Sequence, residues 1–396
     1  MISAGALDGV KILDLTRILA GPTATQLLGD LGADVVKIEN PGKGDDTRSW
    51  GPPFVPDADG NDTPESAYYL CANRNKRSVA VDLATPEGVE TIRALARESD
   101  VLVENFKVGG LKKYGLDYDT LSALNPGLVY CSITGFGQDG PRASQPGYDF
   151  LAQAMGGIMS LTGDPEGEPT KVGVGIADVM CGMYATVGIL AALRHRERTG
   201  EGQHIDVALF DCQLAWLINE GTNSFLSGQD PARRGNQHPN IVPYAAFPTA
   251  DGHVVLTVGN DLQFQRWCAV AGVPDWVADP RFATNAARVR NRDALHALMN
   301  PLMKTRSSGD WTDALVAAGV PCGPVNSVSG AFADPQARHR GMKMRMDHPT
   351  SATGAVDLIG NPLKLSKTPV TYRRPPPTLG EHTQAVLNEA RDREQT

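Results

Sequence analysis

The chain has 396 residues, of which 41% are hydrophobic and 21% charged, with a formal net charge of −8 at pH 7. That length can bury a large core and divide into two domains, and the acidic balance gives no electrostatic reason to expect nucleic acid as a partner. The six cysteines (71, 131, 181, 212, 268 and 322) are dispersed without metal-ligand spacing, so they read as free thiols of a reducing compartment, the cytoplasm by default.

The opening MISAGALDG lacks the basic-then-apolar pattern of a signal peptide. Residues 10–15 (VKILDL) read as a strand, followed by a helix beginning after Gly21-Pro22, where proline is tolerated in the first turn. A second strand at 33–39 (ADVVKIE) completes a βαβ opening. No GxGxxG lies between them, so the dinucleotide fingerprint is missing. The loop 40–53 follows, with Lys37, Lys43 and Arg48 as phosphate partners or merely solvated charges.

Arg74, Lys76 and Arg77 precede a strand at 78–83, and an amphipathic helix spans 85–98 with Thr and Glu at cap-like positions. The strand at 100–106 ends in Asn105 and Phe106, with Lys107, Lys112 and Lys113 behind. An aromatic beside an amide and lysines suits a stacked base and phosphates; a core phenylalanine with surface lysines is the plain alternative. A strand and glycine-rich loop occupy 128–141. Four strand–loop–helix units in the first 140 residues predict an α/β fold.

Residues 147–200 are the centre of the chain. Asp178 is the only acid from Pro169 to Leu193 and heads a nearly apolar helix, which is expected to be a buried packing helix and not a membrane span. Gly173, Gly175, Gly182 and Gly188, with Ala177, Ala185, Ala191 and Ala192, keep one side slim. Asp178 then reads as a helix N-cap, as a carboxylate that a bulky substrate can touch, or as both. A strand and helix follow in HIDVALFDCQLAWLI, and the loop-rich 225–248 marks a boundary. The VGNDLQF turn leads from a hairpin strand into a helix; its Gly259 offers an unhindered N–H to a developing oxyanion, or is a plain turn. Helices continue to about 317, 319–335 reads as linker, and a late strand and terminal helix end the chain. These breaks divide the chain into 1–224, 225–317 and 318–396.

All eight histidines lie at or beyond position 195 and none is paired at i, i+4, which argues against a catalytic metal. A Gly-x-Ser-x-Gly elbow and a P-loop are also missing. What remains is a carboxylate among small residues and glycine loops, and carboxylates can act as covalent nucleophiles.

The succession LDLTRILAGPTATQLLGDLGADVVKIENPGKGDDTR, NRNKRSVAVDL, VENFKVGGLKKYGLDYDTL, YCSITGFGQDGP, GYDFLAQAMGGIMSLTG, ADVMCGMYATVGILAALRHRERTGEGQHIDVAL and GNQHPNIVPYAAFPTADGHVVL, down to PPPTLGEHT, resembles the class III coenzyme A-transferases (CaiB/BaiF type, formyl-CoA transferase-like). The resemblance implies a Rossmann-like large domain built from both chain ends, a smaller α+β domain, and ring-like subunits interlocked as a homodimer. It implies that Asp178 attacks an acyl-CoA thioester, forming an aspartyl anhydride and then an aspartyl-CoA thioester. Gly259 and Asn260 match the family's glycine-rich loop, from which Asn260 and Asp261 depart. Arg17, Ile18, Asn40, Asn105, Phe106 and Lys113 match its coenzyme A contacts.

No permanently bound cofactor is implied; the substrates would be an acyl-CoA and a free carboxylic acid. The segment GNQHPNIVPYAAFPTADG resembles members that act on dicarboxylic acids with succinyl-CoA as donor, and Arg48, Arg74 and Arg77 are candidate clamps for a second carboxylate. A rival within the superfamily is an α-methylacyl-CoA racemase, which needs a second base, a histidine about 30 residues before the aspartate; that region reads QPGYDFLAQ. An inactive coenzyme A-binding homologue is the non-enzymatic rival. Capping is expected to hold Asp178 and lower its pKa.

Overall fold

Short aliphatic runs between turn residues form six parallel strands: β1 (Lys11–Asp14), β2 (Asp34–Glu39), β3 (Lys76–Ala80), β4 (Val101–Glu104), β5 (Val129–Thr134) and β6 (His204–Ala208). They pair in the order β3-β2-β1-β4-β5-β6. This is the doubly wound order, in which the chain changes direction between β1 and β4 and leaves a crevice beyond their carboxyl ends. The computed structural model describes residues 5–394.

Side chains alternate across the strands, so the sheet has two packed faces. Ile12, Val35, Val101, Val103, Val129, Cys131 and Ile133 face α1 (Ala20–Asp30), α4 (Asp149–Met155), α5 (Ile176–Thr199) and α6 (Leu209–Ala215). Leu13, Val36, Ile38, Val79, Leu102 and Tyr130 face α2 (Pro86–Arg97), α3 (Tyr118–Leu124) and the C-terminal helix Thr383–Glu394. Thr85 caps α2, its hydroxyl accepting from the Gly88 N–H at 3.0 Å. α1 starts at Ala20, two residues before the proline that was expected to open it, and Pro22 falls within its first turn.

The 24-residue α5 begins at Ile176, after Gly175, and stops at Gly200, which takes the left-handed conformation (φ 78°) that glycine adopts freely. By length and composition it could cross a bilayer, but half of its most apolar stretch is buried. Ala177, Cys181, Ala185, Ile189 and Ala192 pack on α1 and the sheet, while Met183, Tyr184 and Val187 stay exposed. A Cβ at position 182 would lie 2.6 Å from the Ala20 carbonyl oxygen. Gly182 therefore lets the start of α1 touch the backbone of α5, one turn after Asp178.

The chain forms two units. The first contains the sheet and comprises residues up to Met159, Lys171–Gln229, and everything from Pro335 on. The returning segment lies along the edge strand β3: the Asn75 N–H donates to Arg374 O, the His382 N–H to Ser78 O, and the Ala80 N–H to the Thr383 hydroxyl, all at 2.9 Å.

The second unit comprises Ser160–Thr170 and Asp230–Asp334. Its antiparallel sheet runs β9-β8-β7, from β7 (Tyr244–Pro248), β8 (His253–Thr257) and β9 (Cys322–Pro324). Phe247, Phe264, Trp267, Phe282 and Trp311 build its core. The divisions at 229/230 and 334/335 differ from the 224/225 and 317/318 read from composition. The stretch 319–335, read as linker, holds β9 and a short helix, Val328–Ala333; its glycines and prolines concealed a strand that depends on β8 for its pairing.

The α1–α5 contact can be tested by stability. Gly182→Ala is expected to lose about 1–3 kcal/mol, because a fixed carbonyl blocks the added methyl. Gly188→Ala, whose Cβ would meet only the Ile205 side chain at 3.3 Å, should be neutral or gain up to about 1 kcal/mol from helix propensity. Equal denaturant midpoints for the two variants would contradict the close contact.

Candidate active site

The loops after β1 and β4 leave the sheet on either side of the switch point and meet again above it. The Asn105 amide pairs with the Arg17 peptide group: Oδ1 accepts from the Arg17 N–H at 3.0 Å and Nδ2 donates to the Arg17 carbonyl at 2.7 Å. This holds Ile18 at φ 73°, a left-handed conformation that strains a β-branched residue. The Ile18 N–H donates to Asp45 Oδ1 at 3.2 Å. Burial would push Asp45 up, but Lys37, 2.9 Å away, and bonds from Thr47 outweigh it and hold the carboxyl at about 2. A permanently charged acceptor thus anchors the strained turn.

Asp178 lines a cleft with Arg17, Ile18, Asn105, Phe106 and Tyr148, of cavity volume about 170 Å3. It is 9% exposed and lies in the first turn of α5, with no side-chain cap from Gly175, the N-cap residue. The cap comes from elsewhere: Asp149 Oδ1 accepts from the Ala177 N–H at 2.7 Å and the Asp178 N–H at 3.4 Å. Gln153 braces it, donating to Asp149 Oδ2 at 2.8 Å and accepting from the Val172 N–H at 2.8 Å. The expected lowering of Asp178 is therefore reversed. Burial first, and the Asp149 charge second, push its carboxyl up to about 7.

Tyr68 is a neighbour that the sequence did not mark. Burial, then the negative charge of Asp178, push its phenol up to about 12. Its ring meets Trp50 edge-on at 5.2 Å. No histidine lines the Asp178 cleft among the described residues, so a second imidazole base for racemisation is lacking there.

A second cleft, of about 430 Å3, shares Arg17 and Phe106 and adds Asn40, Lys43, Asp82–Ala84 and Tyr114. Asn40 Oδ1 is engaged in its own turn, accepting from the N–H groups of Gly42 at 3.0 Å and Lys43 at 3.3 Å. Lys113 lines neither cleft; its ammonium sits 4.5 Å from the centre of the Tyr114 ring.

Several expected ligand-binding cations are consumed inside the protein. Lys37 is buried against Asp45, and Arg48 pairs with Glu39 at 2.8 Å and Glu65 at 2.7 Å. Arg74 pairs with Asp30 at 2.6 Å, and Arg77 with Asp34 at 2.6 Å and Glu389 at 2.9 Å. Freeing Arg48 or Arg74 to clamp a substrate carboxylate would strand a buried acid, and Arg77 is held between two partly exposed ones. The cations lining the Asp178 cleft are Arg17 and Lys107.

Gly259 and Asn260 belong to the second unit. The Gly259 N–H donates to Gln263 Oε1 at 2.7 Å, and Asn260 caps the helix Asp261–Ala271, accepting from the Gln263 N–H at 2.9 Å. The Gly259 N–H expected to face an oxyanion is thus engaged by its own helix. Asn260 therefore has a definite structural task as that cap.

The Asp178 shift carries a stability signature. Below pH 3.8 the carboxyl is protonated in folded and unfolded chains alike, and burying it costs little. Between 3.8 and about 7 only the unfolded chain ionises, so stability falls as pH rises, and above 7 the full cost is present. Asp178→Asn should therefore be more stable than wild type at pH 8, by on the order of 2–4 kcal/mol. The advantage should shrink at pH 5 in paired unfolding curves; a constant difference would contradict the raised carboxyl.

A family model described as CoA-transferase family III matches residues 7–383. A succinate–glutarate CoA-transferase of Agrobacterium fabrum is 49% identical over 390 residues, covering 98% of this chain and 97% of its own. A human succinyl-CoA:glutarate CoA-transferase is 44% identical over 384 residues, with 97% and 85% covered. The crystal structure of a CaiB/BaiF family protein from Brucella suis superposes with a TM-score of 0.87 at 48% identity, covering 98% of this chain and all of its own. With a buried carboxylate at the switch point and a match along nearly its whole length, the chain belongs to CoA-transferase family III and is an enzyme of that class.

Proposed function

We propose that this enzyme moves coenzyme A from succinyl-CoA to a short dicarboxylic acid of glutarate size, through covalent intermediates on Asp178. The observation that carries the reading is Asp178 itself: a nearly buried carboxylate lining the cleft where the β1 and β4 loops meet. The substrates are taken from the relatives named above, whose printed activities concern succinate and glutarate.

The Asp178 carboxylate attacks the thioester carbonyl, the C–S bond breaks, and coenzyme A leaves as thiolate. The thiolate attacks the aspartyl carbonyl of the mixed anhydride, releasing succinate and leaving an aspartyl-CoA thioester. The acceptor carboxylate displaces the thiolate to form a second anhydride. Thiolate attack on its acyl carbonyl then regenerates Asp178. A carboxylate whose conjugate acid is weak is a stronger nucleophile once ionised, so burial, with the Asp149 charge second, favours attack above pH 7 and starves it below.

Arg17, Ile18, Asn105 and Phe106 frame the thioester end of coenzyme A in this reading, and Asn40 lies at the wider cleft, which has room for a nucleotide. Asn105 acts by shaping the Arg17–Ile18 turn, since both ends of its amide are occupied. Lys113 is assigned to the phosphates from the family likeness. The Gly259–Asn260 turn is proposed to shield the intermediates; donating the Gly259 N–H to an oxyanion would also require release of the Gln263 contact. A second copy of the chain is the expected partner; it would cover the exposed Met183, Tyr184 and Val187 of α5 in an interlocked homodimer of the cytoplasm, away from membranes.

A mass-spectrometric screen of CoA donors against free acids tests the substrates: succinyl-CoA with glutarate should give glutaryl-CoA. Transfer confined to aromatic or trimethylammonium acids would overturn the dicarboxylate assignment. Hydroxylamine or borohydride should trap an adduct after incubation with succinyl-CoA alone, and an adduct persisting in Asp178→Ala would remove Asp178 from the nucleophile role. The kcat/KM profile should fall on the acid side with a midpoint near 7.

A further inference from the structure

We propose that Glu104 is a positioning residue for the loop carrying Phe106, and that its proton reaches solvent through a Ser132–His204 bridge. The inference deepens the reading of Phe106 as a coenzyme A contact and rests on it. Glu104 closes β4 and is 6% exposed. Its Oε2 accepts from the Phe106 N–H at 2.7 Å, and Phe106 lines both the Asp178 cleft and the wider one. One buried carboxylate therefore sets the backbone of the side chain that the two clefts share.

Its proton has a path out. Ser132 is the register partner of Glu104 on β5, and its hydroxyl favours the ionised form of that carboxyl. The same Ser132 hydroxyl lies 2.9 Å from His204 Nε2. A hydroxyl has one proton to give; given to Glu104, it leaves the oxygen to accept from His204 Nε2–H. The ring is fixed by stacking on Tyr118 (5.1 Å, 16°) and by Tyr130 edge-on (5.5 Å, 77°). To protonate Glu104, His204 takes a proton from water at Nδ1, gives its Nε2 proton to Ser132, and Ser132 passes its own to the carboxylate. The imidazole ends as the other tautomer and no charge is stranded.

The bridge lines a separate cleft of about 180 Å3. The charged and titratable groups around Glu104 are Ser132 and Tyr130 on β5, His204 and Asp206 on β6, Asp117, Tyr118 and Asp119 at the start of α3, and Lys107 and Lys112 on the intervening loop. Burial pushes the Glu104 carboxyl up to about 7, against the hydrogen bonds from Ser132 and Phe106. His204 is pulled below its ordinary value by burial, so the imidazole is neutral when it relays. The ionised carboxylate grips the Phe106 N–H more strongly than the neutral acid does, since charge-assisted bonds are roughly twice as strong.

The test is KM for succinyl-CoA between pH 6 and 9 on the full-length enzyme, with the thermal midpoint of each variant recorded. Wild type should bind about fivefold better above the Glu104 midpoint than below it. Glu104→Gln keeps an acceptor for Phe106 without a titrating proton, so this component of the KM profile should vanish, while the Asp178 limb in kcat remains. Ser132→Ala removes a bond that favours the ionised form and should move the KM midpoint to higher pH. Phe106→Ala should raise KM at every pH. If it does not, the coenzyme A reading of Phe106 fails. If Phe106→Ala raises KM but Glu104→Gln keeps the wild-type profile, or Ser132→Ala leaves the midpoint in place, the Glu104 proposal is overturned while the coenzyme A reading stands.

Discussion

Everything at the candidate site depends on the pairing of the Asn105 amide with the Arg17 peptide group. A doubly wound sheet necessarily opens a crevice where its winding reverses, and the chain segments flanking that crevice diverge. Asn105 reconnects them with two hydrogen bonds. The tie holds Ile18 in a conformation that it would otherwise leave, and so fixes where α1 begins. α1 in turn meets α5 at Gly182, one turn from Asp178. A single amide thus links the loops that line the cleft to the start of the Asp178 helix.

Two buried aspartates near this point show how environment divides one chemistry into two. Asp45 sits against the Lys37 ammonium and is held at about 2; Asp178, buried and with the Asp149 charge beside it, is raised to about 7. Opposed environments of this kind separate structural acids from reactive ones. The same partition explains the basic residues of the first 80 positions. Lys37, Arg48 and Arg74 are held by buried carboxylates, whereas Arg17, paired with the partly exposed Asp46, lines the Asp178 cleft.

How much of this was legible depended on the distance over which each feature is determined. The six strands were readable because apolar runs such as VKILDL and ADVVKIE carry their own evidence. Asp178 stood out because the surrounding glycines and alanines made it the only acid for many residues. The fates of Arg74 and Arg77 were not readable, because Asp30 and Glu389 lie 44 and 312 residues away. Nor was the source of the cap on α5: Asp149 is 28 residues from the N–H it accepts, and only the fold brings them together. Tyr68 and Glu104 were passed over for a related reason. An isolated tyrosine or strand-end glutamate has no local pattern, and its importance comes from what the sheet places beside it.

The C-terminal return along β3 has a consequence for the order of assembly. Parallel sheets form through contacts between distant residues and are slow to assemble. On a ribosome, β1 to β6 emerge well before the segment that seals the β3 edge at Asn75, Ser78 and Ala80. Until residues 374–383 have been made, the nascent sheet carries an open edge, the kind of surface to which other strands add. The first-made layer of the protein is therefore the last to be closed, and its most vulnerable interval is set by the time needed to translate the second unit in between.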